Sequence, residues 1–378
     1  MAAIGIGLIG TGYMGKCHAL AWNAVSAVFG GIERPRLAVL AEAGEDLAAA
    51  RAAQFGFVRA TGDWRTLVDD PAVDVVSITV PNHLHAEMAT AFLAAGKHVW
   101  CEKPMATSLA DAERMLAAAR ASGRLAALGY NYIQNPMVRQ MGRMIGEGAI
   151  GRINDVRVEM DEDFMADPGA PFCFKDEARS GHGAADDFGV HPLSLLSVLV
   201  GLPTRLVAQF AAPHRTRRAE GGQARAVETF DIARMLMEFG DGATGSILLH
   251  RGAWGRKGRI AVQIFGSEGT LLYDQERMNE LQYFDAREPA DRQGFRTILA
   301  APAHEPYGDF VPAPGHGLGF NDLKVIEARE LLRAIAGEPA RLIDFEQGIR
   351  IERVVDAMAR SHREGRWIGV GTSAPSAP

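Results

Sequence analysis

The sequence predicts an α/β protein with two domains. The first is an amino-terminal doubly wound parallel sheet, and the second is an α/β domain built on a large open mixed or antiparallel sheet. Three observations predict this. Short apolar runs alternate with helix-length segments through the first third of the chain. The first run, Ile4-Gly5-Ile6-Gly7-Leu8-Ile9, breaks at once into Gly10-Thr11-Gly12-Tyr13-Met14-Gly15 and a helical stretch from Lys16 to about Val25. From about Asn154 onward, strand-like alternation recurs without intervening helices.

The glycine pattern has a specific physical reading. The first glycine permits a tight strand-to-helix turn, the second lets backbone approach a pyrophosphate, and the third lets helix pack on strand. The pyrophosphate then sits on the free N–H groups of the helix N-terminus. Gly10, Gly12, Tyr13, Met14 and Gly15 are therefore candidate dinucleotide contacts. The second strand, Leu37 to Ala41, ends at Glu42. A carboxylate there accepts hydrogen bonds from the adenosine ribose hydroxyls and repels a 2′-phosphate, which favours NAD over NADP. Glu42 stands 27 residues after Gly15 rather than about 20. The loop from Phe29 to Arg36 absorbs the excess; the plainer alternative is an ordinary strand-end glutamate.

A helix from about Asp46 to Phe55, a turn at Asp63-Trp64-Arg65 and a strand at Val73–Val80 follow. Ligands of such sheets bind outside the carboxyl ends of the strands. That makes Thr79, Pro81, Asn82 and His85 candidate cofactor contacts, with His83 read as an exposed loop histidine. After the next helix, Lys97 to Cys101 is a short strand closed by Glu102-Lys103-Pro104. Pro104 restricts Lys103 to an extended conformation, which holds its amine at the carboxyl edge. A solvated strand-end lysine is the plainer alternative.

In the second domain, strands are expected at Val156–Met160, Phe230–Glu238, Thr244–Leu249, Ile260–Ile264 and Leu281–Phe284, with a hairpin turn at Asp241-Gly242. Helices are expected near Asp322–Ala336 and Phe345–Glu364. The boundaries read as 1–129, 130–370 and a flexible tail, 371–378.

Composition sets the outer limits. At ~100–200 residues per domain, the 378 residues hold two or three domains, and 47% apolar content is that of a globular chain. A net charge of −6 and a pI near 6.0 leave no basic footprint for nucleic acid. The run Arg215-Thr216-Arg217-Arg218 reads as a short solvated loop. Cys17, Cys101 and Cys173 lack C-x-x-C spacing, so no disulfide framework or metal site is expected. No apolar run approaches the ~18 residues of a membrane span and no signal-peptide pattern opens the chain. The expectation is a cytoplasmic protein without a membrane partner.

Gly10–Gly15, Pro81-Asn82-His83-x-His85 and Glu102-Lys103-Pro104 together resemble the Gfo/Idh/MocA oxidoreductase family, over essentially the whole chain. The resemblance implies an N-terminal Rossmann domain with NAD as cofactor, touched also by Glu102, Lys103 and Asn131. It also implies a C-terminal α/β domain whose open sheet often mediates oligomers, here a homodimer or homotetramer. Asp187-Phe188-Gly189-Val190-His191 resembles the family's D-x-G-x-H element. Independently, residues four apart on a helix share one face, and a carboxylate beside an imidazole fixes its tautomer and stabilises the imidazolium. A capped helix start is the alternative.

Five positions depart from the family pattern. Ser194 stands where an Asp is common, Pro192 follows the histidine directly, Asp186 adds a carboxylate, and Phe174-Lys175 replaces a frequent Trp-Arg. The stretches Gly266–Leu281, Gly294-Phe295-Arg296 and Pro314–Phe320 resemble a narrower group that oxidises cyclic polyols and pyranose-like sugars of scyllo-inositol, L-glucose or levoglucosan type.

The resemblance thus implies NAD-dependent oxidation of a secondary ring hydroxyl to a ketone or lactone. Lys103, Asp187 and His191 would be catalytic, and Lys103, Tyr132, Phe164, Lys175, Arg179, Asp187, His191 and His316 would meet the small-molecule substrate. Arg179 reads equally as a surface ion pair with Glu177 or Asp176, His316 sits on a glycine-flanked loop, and Asp161-Glu162-Asp163 reads as a solvated turn or strand end, with a carboxylate reaching the sugar as the alternative. The rivals within the same fold are a glycosidase using transient oxidation by bound NAD and a non-catalytic sugar or NAD sensor.

Overall fold

The computed structural model describes residues 3–371, so the expected tail lies outside the described residues save for residue 371. The chain divides into two compact units, residues up to 135 with 305–349, and residues 136–304 with those from 350 onward.

The first unit begins β1 (Gly5–Ile9), α1 (Tyr13–Val28), β2 (Arg36–Ala41), α2 (Glu45–Phe55), β3 (Arg59–Thr61), β4 (Val75–Ile78), α3 (His85–Ala94), β5 (His98–Cys101), α4 (Leu109–Ser122) and β6 (Ala126–Leu128). The strands β1, β4 and β6 are buried along their whole length, as expected of a sheet covered on both faces. All pairs among β1 to β6 are parallel, in the order β3-β2-β1-β4-β5-β6. This is the doubly wound dinucleotide-binding order, and it reverses between β1 and β4. The glycine loop after β1 and Thr79–Pro81 after β4 therefore flank the switch point.

The second unit runs α5 (Pro136–Gly146), β7 (Ile153–Glu162), α6 (Ala184–Asp187), α7 (Val190–Leu199), β8 (Arg205–Ala211), β9 (Thr216–Arg218), β10 (Ala224–Ala226), β11 (Ile232–Glu238), β12 (Thr244–His250), β13 (Lys257–Gly266), β14 (Gly269–Asp274), β15 (Glu280–Asp285) and β16 (Arg296–Leu299). The chain continues through α8 (Tyr307–Phe310), α9 (Phe320–Ile335), β17 (Ile343–Asp344), α10 (Phe345–Glu364) and β18 (Ile368–Gly369). The large sheet has the order β16-β15-β14-β13-β7-β12-β11-β8-β18. Only the β7–β12 pair is parallel, so the sheet is mixed. Met235, Ile247, Leu249, Ile260 and Val262 are buried along its strands, whereas Arg234 and Leu236 alternate outward and are exposed. The Asp241-Gly242 turn joins β11 to antiparallel β12, as read from the sequence.

The sequence reading ran the second domain continuously from 130 to 370, whereas residues 305–349 are grouped with the first unit. The reason is packing: α9 lies against α1 with Leu323, Ile326 and Leu331 buried. β17 then adds an antiparallel edge strand beside β6.

Candidate active site

In the first unit, Gly10 adopts φ +87°, a conformation side chains resist. A Cβ on Gly15 would sit 2.2 Å from the Gly10 carbonyl oxygen, so the loop closes only with glycine there. Gly12 has open space where a Cβ would be, and as N-cap of α1 it offers no side-chain cap to the first N–H groups. The first turn also lacks acidic residues. A helix end left in this state fits an anion. Asn131, buried at 2% exposure, has an Nδ2 with no hydrogen-bond partner among the described residues, which is what a carboxamide reserved for a ligand would show. These features fit a bound dinucleotide held by the loop, α1 and Asn131.

Glu42 follows β2 and is tied to the glycine loop. Its Oε2 accepts from Thr11 N at 2.7 Å and Thr11 Oγ at 2.5 Å, and its Oε1 accepts from Ala43 N at 2.7 Å. The carboxylate is thus pre-aimed by Thr11, a residue for which sequence reading assigned no role. Its own strand-end position was the only signal available.

Three of the expected cofactor contacts also bond within the protein. Thr79 donates its hydroxyl to the carbonyls of Ile9 and Gly10, 2.9 Å each, and so holds the loop. His85 is fully buried, with ring nitrogens 2.9 Å from Pro104 O and 3.0 Å from Val80 O, so its ring is spent on backbone. Burial holds its pKa below the usual range. Glu102 is buried at 4% exposure, with one carboxylate oxygen taken by His18 and Lys324 and the other accepting Lys103 N–H at 3.3 Å. Pro81 is exposed, while Met14, Asn82 and Lys103 are half-buried. Tyr13 stacks on Phe320 at 5.7 Å, and Tyr132 meets the same ring edge-on at 5.9 Å. His316 is exposed, and its backbone is pinned by the Tyr307 hydroxyl through both its N–H and its carbonyl.

In the second unit, Asp187 and His191 do not share one continuous helix, as the spacing suggested. α6 ends at Asp187, the chain turns at Phe188-Gly189, and α7 begins at Val190. The Gly189 N–H and the Phe188 N–H both return to Ala184 O, which ends the first helix. Asp187 Oδ2 is bound by Lys175 Nζ at 2.5 Å and lies 4.0 Å from buried Arg251. Arg251 is held in turn by Asp231 at 3.0 Å and the Thr229 hydroxyl at 3.2 Å, while Thr229 Oγ donates to Lys175 O. Lys175 Nζ also sits over the Phe164 ring at 5.0 Å. The structure thus brings Phe164, Lys175 and Asp187 together. Their arrangement depends on Arg251, Asp231 and Thr229, which no local motif revealed.

His191 is buried to 6% exposure at the start of α7, and Ser194, at the position of the expected Asp, donates its hydroxyl to His191 O at 2.7 Å. Asp186, the added carboxylate, is 4% exposed and accepts the His182 N–H, and burial raises its pKa to about 6. Arg179 is exposed and pairs with Glu177, the surface-ion-pair alternative. Cys17 and Cys101 are buried free thiols and Cys173 is half-buried. Among the described residues no cluster suited to a metal ion occurs, and no helix is long and apolar enough to cross a membrane.

Comparison with known proteins places these features in context. The model of an oxidoreductase family with an NAD-binding Rossmann fold, Gfo/Idh/MocA, matches residues 4–130, and the model of that family's C-terminal domain matches residues 138–272. The chain is 36% identical to the levoglucosan dehydrogenase of Pseudarthrobacter phenanthrenivorans, over 98% of this chain and 99% of that protein. It is 28% identical to the myo-inositol 2-dehydrogenase of Thermotoga maritima over 72% of this chain and 75% of that protein. A solved levoglucosan dehydrogenase in complex with NADH and levoglucosan superposes with a TM-score of 0.94 at 37% identity, covering 98% of this chain and all of that one. The same enzyme with NADH and L-sorbose gives 0.95 at 37%, with the same coverage of both chains.

Proposed function

The chain belongs to the Gfo/Idh/MocA oxidoreductase family, and from that premise we propose that it oxidises a secondary ring hydroxyl of a pyranose-type sugar or cyclic polyol, levoglucosan being the first candidate. That it is an NAD-dependent oxidoreductase of the sugar and polyol dehydrogenase type follows from its relatives. The observation that carries the finer reading is the near-complete coverage at 36% identity by an enzyme named for levoglucosan. Bound NAD supplies the acceptor for the two electrons and hydrogen that leave the carbinol carbon.

The protein's own groups handle the proton and charge. His191 takes the hydroxyl proton, and its burial keeps the imidazole out of competition with bulk water. Asp187, steadied by Lys175 and Arg251, supplies the negative charge that favours the imidazolium. Lys103 stabilises the developing alkoxide. Lys175 and Phe164, gathered around Asp187, are assigned to substrate contact, with Tyr132 and His316 as further candidates. Glu42 selects NAD over NADP. We read the protein as a cytoplasmic homodimer or homotetramer that self-associates through the open sheet face, on which Leu236 is 56% exposed.

Positioned acid–base help contributes roughly 10²–10⁴ in rate. Lys103→Ala and His191→Ala are therefore expected each to lower kcat by at least ~10² while NADH affinity, followed by fluorescence titration, changes little. Near-normal turnover in either variant would remove that residue from the mechanism. Tight retention of NAD with sugar cleavage and no net NADH would instead favour the glycosidase reading.

A further inference from the structure

A cluster of buried charge lies behind the Lys103 turn, within the first unit, and the proposed reaction uses none of its members directly. Lys324 on α9 is 0% exposed in its side chain. Its Nζ lies 2.6 Å from Glu102 Oε1, 2.9 Å from Glu327 Oε2 and 3.4 Å from Gly129 O. His18 on α1 brings Nε2 to 2.9 Å from the same Glu102 oxygen and stacks on Trp100 at 3.7 Å. Its Nδ1 has no partner among the described residues. An ionised carboxylate only accepts, so Nε2 carries the hydrogen, and a second one on Nδ1 would be buried with nothing to accept it, which favours the neutral ring. Burial and the Lys324 charge agree, pushing the His18 pKa down to about 4.

The packing is built around these charges. A Cβ on Gly129 would come within 2.4 Å of Glu102 Oε1 and 2.9 Å of Lys324 Nζ, so glycine there leaves the room. Burial works against ionisation of Glu102, yet Lys324 and His18 outweigh it and hold the carboxylate charged. Burial likewise opposes charge on Lys324, and Glu102 and Glu327 outweigh it. Such a pair gives little net stability over apolar residues of the same size. What it does supply is direction. Glu102 Oε1 is locked by Lys324 and His18, and Oε2 is left to hold the Lys103 N–H at 3.3 Å.

We propose that Lys324, seconded by Glu327, is a positioning residue. From α9 it locks Glu102, and Glu102 fixes the backbone turn that aims the Lys103 amine. The proposal rests on the role given to Lys103 above. It makes a helix 222 residues downstream of Glu102 part of the catalytic support.

The test compares the full-length protein with Glu102→Gln/Lys324→Met, Glu327→Gln and Lys103→Ala, reading kcat, KM and the NADH dissociation constant by fluorescence. The double variant removes the Lys324 and Glu102 charges together, and Glu327, which loses Lys324 and whose pKa burial already raises to about 7, is left to take up its proton. A loosened support is expected to lower its kcat by about tenfold or more, with KM and the NADH constant within about threefold of the parent. Glu327→Gln keeps volume and an acceptor for Lys324, and is expected to lower kcat by about threefold with the same two quantities unmoved. Parental kcat in the double variant, or a loss of kcat accompanied by an equal loss of NADH binding, would overturn the proposal. Should the double variant not fold, parental kcat in Glu327→Gln overturns it alone. If Lys103→Ala is inactive while the other variants match the parent, only the positioning role falls. If Lys103→Ala itself turns over normally, the Lys103 role falls and takes this one with it.

Discussion

Glu42 illustrates how one residue's effect depends on its holder. Thr11 grips its Oε2 with both backbone N–H and hydroxyl, at 2.7 and 2.5 Å, so the carboxylate proposed to meet the ribose is held in one orientation. Hydrogen bonds to a charged group contribute about 1.5–3 kcal/mol. Glu42→Ala is accordingly expected to shift the ratio of NADPH to NADH dissociation constants toward NADPH by about tenfold or more. Thr11→Val keeps the backbone bond and loses the hydroxyl, so a smaller shift, about threefold, is expected. Fluorescence titration with both nucleotides measures each, and an unchanged ratio in Glu42→Ala would remove the discrimination from this position. The glutamate was readable as a strand-end acid despite its unusual spacing. Thr11 was not, because inside G-x-G the variable residue carries no signal until β2 is laid beside β1.

At the scale of the element, α9 combines an ordinary amphipathic helix with a buried charge. Burial raises the Glu327 pKa from 4.5 to about 7. A raised acid stabilises the folded state fully below its unfolded value and loses that contribution as pH rises through the folded one. The window is thus pH 4.5 to 7, with up to about 3 kcal/mol at stake. Glu327→Gln lacks this titration, so its stability relative to the parent should rise between pH 5 and pH 8, as measured by urea unfolding. A pH-independent difference would contradict the assignment. The helix itself was legible from its apolar spacing, as were the strands β1, β2, β5 and β11 to β13, because period and turn chemistry are local. Its grouping with the first unit was not, since nothing local distinguishes a helix that packs on α1 from one that packs on the large sheet. The Asp187–His191 spacing misled for a related reason: four residues span one helical turn only if the helix continues, and it ends at Asp187, where the Phe188 and Gly189 N–H groups both return to Ala184 O.

The first unit's sheet is covered on both faces, whereas the large sheet of the second leaves Arg234 and Leu236 exposed, the face proposed above for self-association. Leu236, 56% exposed at the outer face of β11, is the natural place to interrupt one. Leu236→Glu is expected to lower the sedimenting mass at micromolar concentration without loss of fold by circular dichroism, and an unchanged mass would place the contact elsewhere. The reaction itself is tested most directly by absorbance at the NADH band, with purified protein, NAD and a panel of levoglucosan, scyllo- and myo-inositol, and D- and L-glucose. NADH should accumulate with at least one ring polyol or sugar, levoglucosan first, and much less with NADP in place of NAD. Silence across the panel from protein that binds NADH would contradict the proposed oxidation.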